Sequence, residues 1–250
     1  MPPEKRAFLE DMVRLASADG PDVLCLQELP VWSLSRLESW SGMRAFGAVA
    51  SRPLLGSAKL GGAVTDLHHG LLRSAFTGQA NAILLGPALR PLATDSIVLN
   101  ARSFRRAQAR VLGLDRRTRL AWARERRACH AVRTEVGGRF LTVANLHVSN
   151  LRDVSAKDAE LLRAATFATA FAEPGDALVL AGDLNVALGS SRLLEQLGGP
   201  DWGFSEAIPG LDQVLVSGTR ASRGERWPEE RRRAHGRLLS DHAPVEARIE

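Results

Sequence analysis

Residues 141–149 read Leu-Thr-Val-Ala-Asn-Leu-His-Val-Ser, and residues 178–185 read Leu-Val-Leu-Ala-Gly-Asp-Leu-Asn. Each is an apolar run of strand length that closes in polar, chemically capable side chains. The same pattern recurs along the chain. Asp22-Val-Leu-Cys-Leu-Gln27-Glu28 ends in a carboxylate, Asp212 stands just before the run Gln213 to Val216, and Asp241-His242 stand just before Val245 to Ile249. Residues at strand ends can converge at one edge of a sheet, where rigid elements hold them.

Outward from these runs, Ala156 to Ala172 carries a long helical pattern. Pro2 to Ala18 has apolar residues at helical spacing, with Gly20-Pro21 as a stop. Val31 to Trp40 reads as an amphipathic helix, Ser51 to Gly62 as a loop, and Thr65 to Ser74 as a short helix or ordered loop. Ala82 to Leu85 and Ser96 to Leu99 are further strands. Arg127 to Glu135 and Arg139 to Leu146 alternate around Gly137-Gly138, the signature of a hairpin. Many strands with interspersed helices and no repeat imply a layered, mixed α/β fold. The helices do not alternate regularly with the strands, which argues against a doubly wound sheet. No Pro- or Ser-rich linker divides the chain, so one domain is expected over 1–250.

The 250 residues, 45% hydrophobic and 24% charged, suffice for a substantial core and exclude disorder as the main state. No apolar run is long enough to span a membrane. The first residues mix charges of both signs and lack the apolar core of a signal peptide. Cys25 and Cys129 are too few for a disulfide framework or a zinc cluster and read as buried thiols, compatible with a cytoplasmic location. The net charge of +5 is carried almost wholly by arginine, since Lys5, Lys59 and Lys157 are the only lysines. Ten arginines fall between Arg102 and Arg127 and seven between Arg220 and Arg237. They read either as solvated faces or as a basic rim for phosphate polyanions.

Taken together, LQE at 26–28, NLHVS at 145–149, GDLN at 182–185, LDQVLV at 211–216 and SDHAPV at 240–245 resemble the endonuclease/exonuclease/phosphatase superfamily of DNase I-like phosphoesterases. The segment Gly78 to Leu84 is similar to that family's G-x-A-I-L strand. The resemblance runs from about Asp22 to the C-terminus. It implies a four-layer α/β sandwich, two packed mixed sheets flanked by helices. The family opens on a strand of the type V-x-T-x-N, which is not found ahead of the first helix. The domain is therefore expected to lack the first strand, N-terminally truncated relative to the family pattern.

The resemblance also implies a Mg²⁺-dependent hydrolase of phosphate esters, with Mn²⁺ as a substitute, and the chemistry is coherent. A hard divalent ion takes carboxylate ligands and neutralises charge on the phosphate. Glu28 is expected as the principal metal ligand and Asp241 as a second. His242 is expected as the general base, oriented by Asp212, because imidazole titrates near neutrality. Asp183 and Asn185 are expected to position water and phosphate oxygens, and His147 to contact the scissile phosphate. Asn145 either orients a neighbour or satisfies backbone groups. A nuclease acting on nucleic acid is the favoured reading. The alternatives are a phosphatase or phosphodiesterase on inositol-phosphate or lipid head groups, and a non-catalytic phosphate- or nucleic-acid-binding module. His68-His69 have no matching ligand at helical spacing, and Gly61-Gly62 and Gly137-Gly138 are turns rather than phosphate cradles. Trp32, Trp40 and Trp122 read as core or interface residues, while Trp202 and Trp227 are candidates for the rim of the site.

Overall fold

Gly137 and Gly138 both adopt positive φ, 57° and 78°, as a tight two-residue turn between strands requires. They join the two central strands of the larger sheet in a computed structural model that describes residues 3–52 and 78–250. In chain order the described elements begin with α1 (Pro3–Ser17), β1 (Val23–Leu29), a 3₁₀ turn over Val31–Arg36, α2 (Leu37–Ser41) and β2 (Arg44–Ser51). They continue with β3 (Gln79–Leu85), β4 (Arg90–Val98), α3 (Arg102–Val111), α4 (Arg116–Arg124), β5 (Ala128–Val136) and β6 (Arg139–His147). Then come α5 (Val154–Phe171), β7 (Ala177–Asp183), α6 (Arg192–Leu197) and β8 (Asp212–Ser217). The C-terminal region adds four two-residue strands: β9 (Glu225–Arg226), β10 (Arg233–Ala234), β11 (Arg237–Leu238) and β12 (Val245–Glu246).

Five strands form one sheet in the order β4-β5-β6-β7-β8, and three form the other in the order β1-β3-β2. The larger sheet is mixed. β6 and β7 run parallel and need a crossover, which α5 provides. The smaller sheet is antiparallel in its described pairs. The two sheets pack through Ile83, Leu85, Val132, Val143, Val179, Ala181 and Val216. α1 and the Val31–Ser41 segment cover the outside of the small sheet through Val13, Leu37 and Trp40. α5 and α6 cover the outside of the large one through Leu161, Ala164, Ala165, Ala168, Leu194 and Leu197. Helix, sheet, sheet and helix make the four expected layers. The small residues of α5 bring its axis close to the sheet, and each fully buried leucine contributes about 1.5–3 kcal/mol.

Several local readings change. The helix expected over Val31 to Trp40 is a 3₁₀ turn followed by one short α-helix. The last strand shrinks from Val245–Ile249 to Val245–Glu246, with an isolated bridge between Ala221 and Ile249. The Thr65 to Ser74 segment, His68-His69 and all but the start of the Ser51 to Gly62 loop lie outside the described residues. Among the described residues β1 hydrogen-bonds to a strand, β3, on one side only. Its other edge faces a cavity of about 2120 Å³ between α1, β1, β8 and residues 238–250.

Alternation along the strands decides what enters the space between the sheets. Val143 and Asn145 share a face, as do Val179, Ala181 and Asp183, and Asp212, Val214 and Val216. The apolar members pack in the inter-sheet core, so the polar ones emerge at its edge. Asn145 is fully buried there and joins the sheets. Its amide donates to the carbonyls of Leu26 in β1 and Ala82 in β3, both at 2.9 Å. Its Oδ1 accepts from Gln27 Nε2 at 2.7 Å. Both readings left by the sequence hold: the amide nitrogen satisfies two backbone carbonyls, and the oxygen orients the neighbouring Gln27 side chain. Asn81 makes a second bond between the sheets, from its amide to the Ala128 carbonyl at 3.0 Å.

Three substitutions test this architecture. Gly182 has φ +140°, and a Cβ there would lie 2.0 Å from the Leu146 carbonyl oxygen. Gly182→Ala is expected to cost about 2–5 kcal/mol in urea unfolding, from strain and overpacking together. Gly137→Ala, with open space around its Cβ, should cost no more than about 1–2 kcal/mol. Asn145→Ala strands two buried carbonyls and is expected to cost about 2–4 kcal/mol. A variant as stable as the parent would show that this bond network does not hold the sheets.

Candidate active site

The register of three neighbouring strands sets the site. His147 pairs with Asp183 across β6 and β7, and Asp183 pairs with Asp212 across β7 and β8. The three residues thus stand in one row at the edge of the inter-sheet space. His147 Nε2 is 3.4 Å from Asp183 Oδ2. His242 enters from the loop before β12, and its Nδ1 lies 3.2 and 3.1 Å from the two oxygens of Asp212. Asp183, Asp212 and His242 each offer a ligand atom within 4.8 Å of the others, a grouping able to hold a metal ion. The His242 loop is itself held, since Arg232 donates to the carbonyls of Ser240 and His242.

Glu28 reaches the site by a different route. Cys25 faces the inter-sheet core and Gln27 bonds Asn145, so strict alternation would turn Glu28 toward α1. The pairing with β3 instead shifts register between Leu26 and Leu29, and Glu28 adopts φ 57°. A bulge of this kind re-aims a side chain. The Glu28 carboxylate is 60% exposed, accepts from Gln79 Nε2 at 3.2 Å, and lies 3.9 Å from His147 Nε2 and 3.8 Å from Arg127. Asn185 is also strained, at φ 50°. Its amide nitrogen and side chain both donate to Asp183, its side chain also donates to the Val148 carbonyl, and Lys157 binds its carbonyl. Strain of this sort costs about 1–3 kcal/mol per residue and persists only where surrounding bonds impose it.

The first arginine-rich run includes Arg127, which is buried in the site. Its Nη1 lies 2.9 Å from His147 Nδ1, and its other nitrogens hold Glu125. Guanidinium only donates, so His147 Nδ1 accepts and the ring proton sits on Nε2, facing Asp183 and Glu28. A signal was available. Arg127 opens the alternating strand run, whereas the other nine arginines of the stretch lie outside it.

Burial and neighbouring charge set the protonation states. Burial, with the positive charges of Arg127 and His242, keeps His147 well below the usual imidazole range, so it is neutral at pH 7. Burial raises the Asp183 carboxyl, and the Asp212 charge raises it further against the bond from Asn185. For His242 partial burial opposes the charged form. The charge and hydrogen bond of Asp212, with Asp183 and Asp241 beyond, outweigh it and raise the pKa.

Of the residues singled out by sequence, Glu28, His147, Asp183, Asn185, Asp212 and His242 come together. Asp241 is exposed beside His242, and its carboxylate lies outside the Asp183–Asp212–His242 group. The two rim tryptophans are engaged in the fold. Trp202 packs on the core under α5, while Trp227 donates to Glu246 and is covered by the Arg231 guanidinium 3.7 Å above its ring.

A four-layer sandwich carrying a cluster of acids and imidazoles at one sheet edge defines a metal-dependent phosphoesterase. The chain belongs to the endonuclease/exonuclease/phosphatase family, whose model matches residues 2–242. Its fold is similar to that of D. rerio TDP2 carrying 14 humanizing mutations, at 13% identity and TM-score 0.64, covering 98% of this chain and 91% of that one. It is similar as well to a Bacteroides vulgatus endonuclease/exonuclease/phosphatase, at 13% identity and TM-score 0.66, covering 98% and 90%. A mannosyl-6-phosphatase of Bacteroides thetaiotaomicron shares the fold at 13% identity and TM-score 0.62, covering 99% and 94%. A search of curated protein sequences finds no match. Among the described residues no helix is long and apolar enough to cross a membrane.

The Asp212–His242 pair makes a pH prediction for the metal-free protein. Because the His242 pKa is raised in the fold, the pair adds stability that is full below the unfolded histidine pKa. That stability is lost as pH rises through the folded value. Asp212→Asn is expected to lower the His242 pKa in an NMR titration in EDTA and to remove this pH dependence. An unmoved titration curve would refute the coupling.

Proposed function

We propose that the protein is a Mg²⁺-dependent phosphodiesterase acting on nucleic acid, built as a single domain over 1–250 and working in the cytoplasm. The observation that carries this reading is the buried Asp183, beside a second carboxylate and an Asp212-held imidazole. The donor set suits a hard divalent cation. Asp183 and Asp212 repel each other in a partly desolvated site, and Glu28 offers an exposed carboxylate across from them. Glu28 and Asp183 are the residues assigned to the ion, with Asp241 at the rim as the candidate for a second. Bound there, Mg²⁺ supplies Lewis-acid charge to the phosphate, and Mn²⁺ is the expected substitute.

The remaining work falls to the chain's own groups. Asp212 holds His242 Nδ1, which leaves Nε2 as the proton acceptor for the attacking water. His147, neutral and protonated on Nε2, donates to a phosphate oxygen. Asn185 holds Asp183 in place and orients it. His242 must be neutral to act as base, so the rate should rise with pH through its raised pKa.

The expected behaviour is nicking of plasmid DNA with Mg²⁺ and arrest in EDTA. His242→Ala should lower kcat by about 10²–10⁴-fold. Cleavage that persists in EDTA, or equal rates for variant and parent, would sink the reading.

A further inference from the structure

The two arginine-rich stretches are alike in sequence and unlike in structure. In the second, Arg226 binds the carbonyls of Pro209 and Asp212, Arg231 pairs with Asp19 and Glu246, Arg232 holds the His242 loop, and Arg233 pairs with Glu229. These guanidiniums are part of the fold. In the first stretch Arg102, Arg106, Arg110, Arg116, Arg117, Arg119, Arg124 and Arg126 are exposed. Among the described residues none of the eight has a carboxylate within ion-pair distance. The two acids of the stretch are already engaged, Asp115 capping α4 through the Thr118 amide and Glu125 holding Arg127.

The position of this stretch matters as much as its charge. α3 and α4 are inserted between β4 and β5, whose paired ends are Val98 and Ala128. That is the His147 end of the sheet, since Cys129 pairs with Leu146. Three residues beyond α4, Arg127 touches His147. The helix pair is a firm platform. Ala109, Leu114 and Trp122 are buried against Leu151 and Ala156, and Trp122 bonds the buried Glu160. On α3, Arg102, Arg106 and Arg110 follow at i, i+4 and i+8 and share one face. Their like charges repel and gain nothing from the fold. Arg105 shows the crowding: burial lowers its pKa, and the charges of Arg126 and Arg102 lower it further.

We propose that the exposed face of α3 and α4 is a docking surface for the phosphate backbone of a polynucleotide, holding it beside the candidate active site. The choice of polyanion rests on the phosphodiesterase reading above and on spacing. Successive arginines of the α3 stripe rise about 6 Å along the helix, near the distance of two nucleotide steps of about 3.4 Å along a strand. Guanidinium also binds phosphate oxygens in pairs. Val111 and Leu120 are exposed on the same hairpin, but two aliphatic side chains among eight arginines offer a lipid surface little to bury.

The test is binding of fluorescein-labelled oligonucleotides of about 20 nucleotides, single- and double-stranded, in EDTA over a salt series. The parent is compared with a triple variant Arg102→Glu, Arg106→Glu, Arg110→Glu and with the corresponding Gln triple, whose exposed sites leave the core untouched. Each lost phosphate contact should reduce the slope of log K against log salt by about 0.7–0.9. The triples should therefore lose about 2–3 in slope and about tenfold or more in affinity. Turnover of the small diester bis-p-nitrophenyl phosphate should be unchanged. Unaltered affinity and slope in both triples would overturn the proposal, as would arginine-dependent binding to phosphatidylserine vesicles without binding to oligonucleotides. Arginine-dependent binding by a protein that hydrolyses no phosphodiester would leave the docking surface standing and remove the catalytic reading alone.

Discussion

One buried amide ties the site to the fold. Asn145 lies on β6 of the large sheet, yet all three of its side-chain hydrogen bonds go to the small sheet, to Leu26, Gln27 and Ala82. Two residues further along β6 is His147, and one residue beyond Gln27 is Glu28. Apolar packing between sheets is non-directional and tolerates sliding. A fully satisfied polar group within it does not, because any shift leaves buried carbonyls without a donor. The bonds of Asn145 therefore set the register of one sheet on the other at the end where the charged side chains gather.

Electrostatics at that end follows from how deeply each group sits. His147 is 4% exposed at its side chain and has a guanidinium against Nδ1, so it stays neutral with its proton directed at the acids. His242 is 46% exposed at its side chain and faces Asp212, so it holds its proton to higher pH. Two imidazoles of one residue type thus differ in how readily they hold a second proton and, when neutral, in which nitrogen carries hydrogen. Asp183, buried between them and beside Asp212, is where a cation would relieve the most repulsion. Pairs whose environments drive their protonation apart are the usual basis for dividing acid and base roles.

Much of this was legible in the chain. The polar ending of each run marked the sheet edge at which Asn145, Asp183 and Asp212 gather. The helix of α5 and the hairpin at Gly137-Gly138 followed from period and turn chemistry alone. The misreadings have physical causes. Val31 to Trp40 lacks an N-terminal side-chain cap and tightens into a 3₁₀ turn. The strand after His242 finds a partner in β9 for only two residues. Arg127 differs in sequence from the eight exposed arginines of its stretch only by standing at the start of a strand run, and composition does not carry that difference.

By itself the sequence determined most of the strands and helices, the strand ends that carry chemistry and the residue types found there, because side-chain period and turn residues act over short range; the four layers followed from the family resemblance. Tertiary structure alone decided three further matters. The bulge at Glu28 reversed the face on which its carboxylate lies, a consequence of its register against β3. The proton of His147 was assigned by a guanidinium twenty residues away in sequence. Four guanidiniums of the second arginine-rich stretch were tied into internal bonds, and eight of the first were left facing solvent. Each depends on which distant groups come within a few ångströms, and that is a property of packing, not of local pattern.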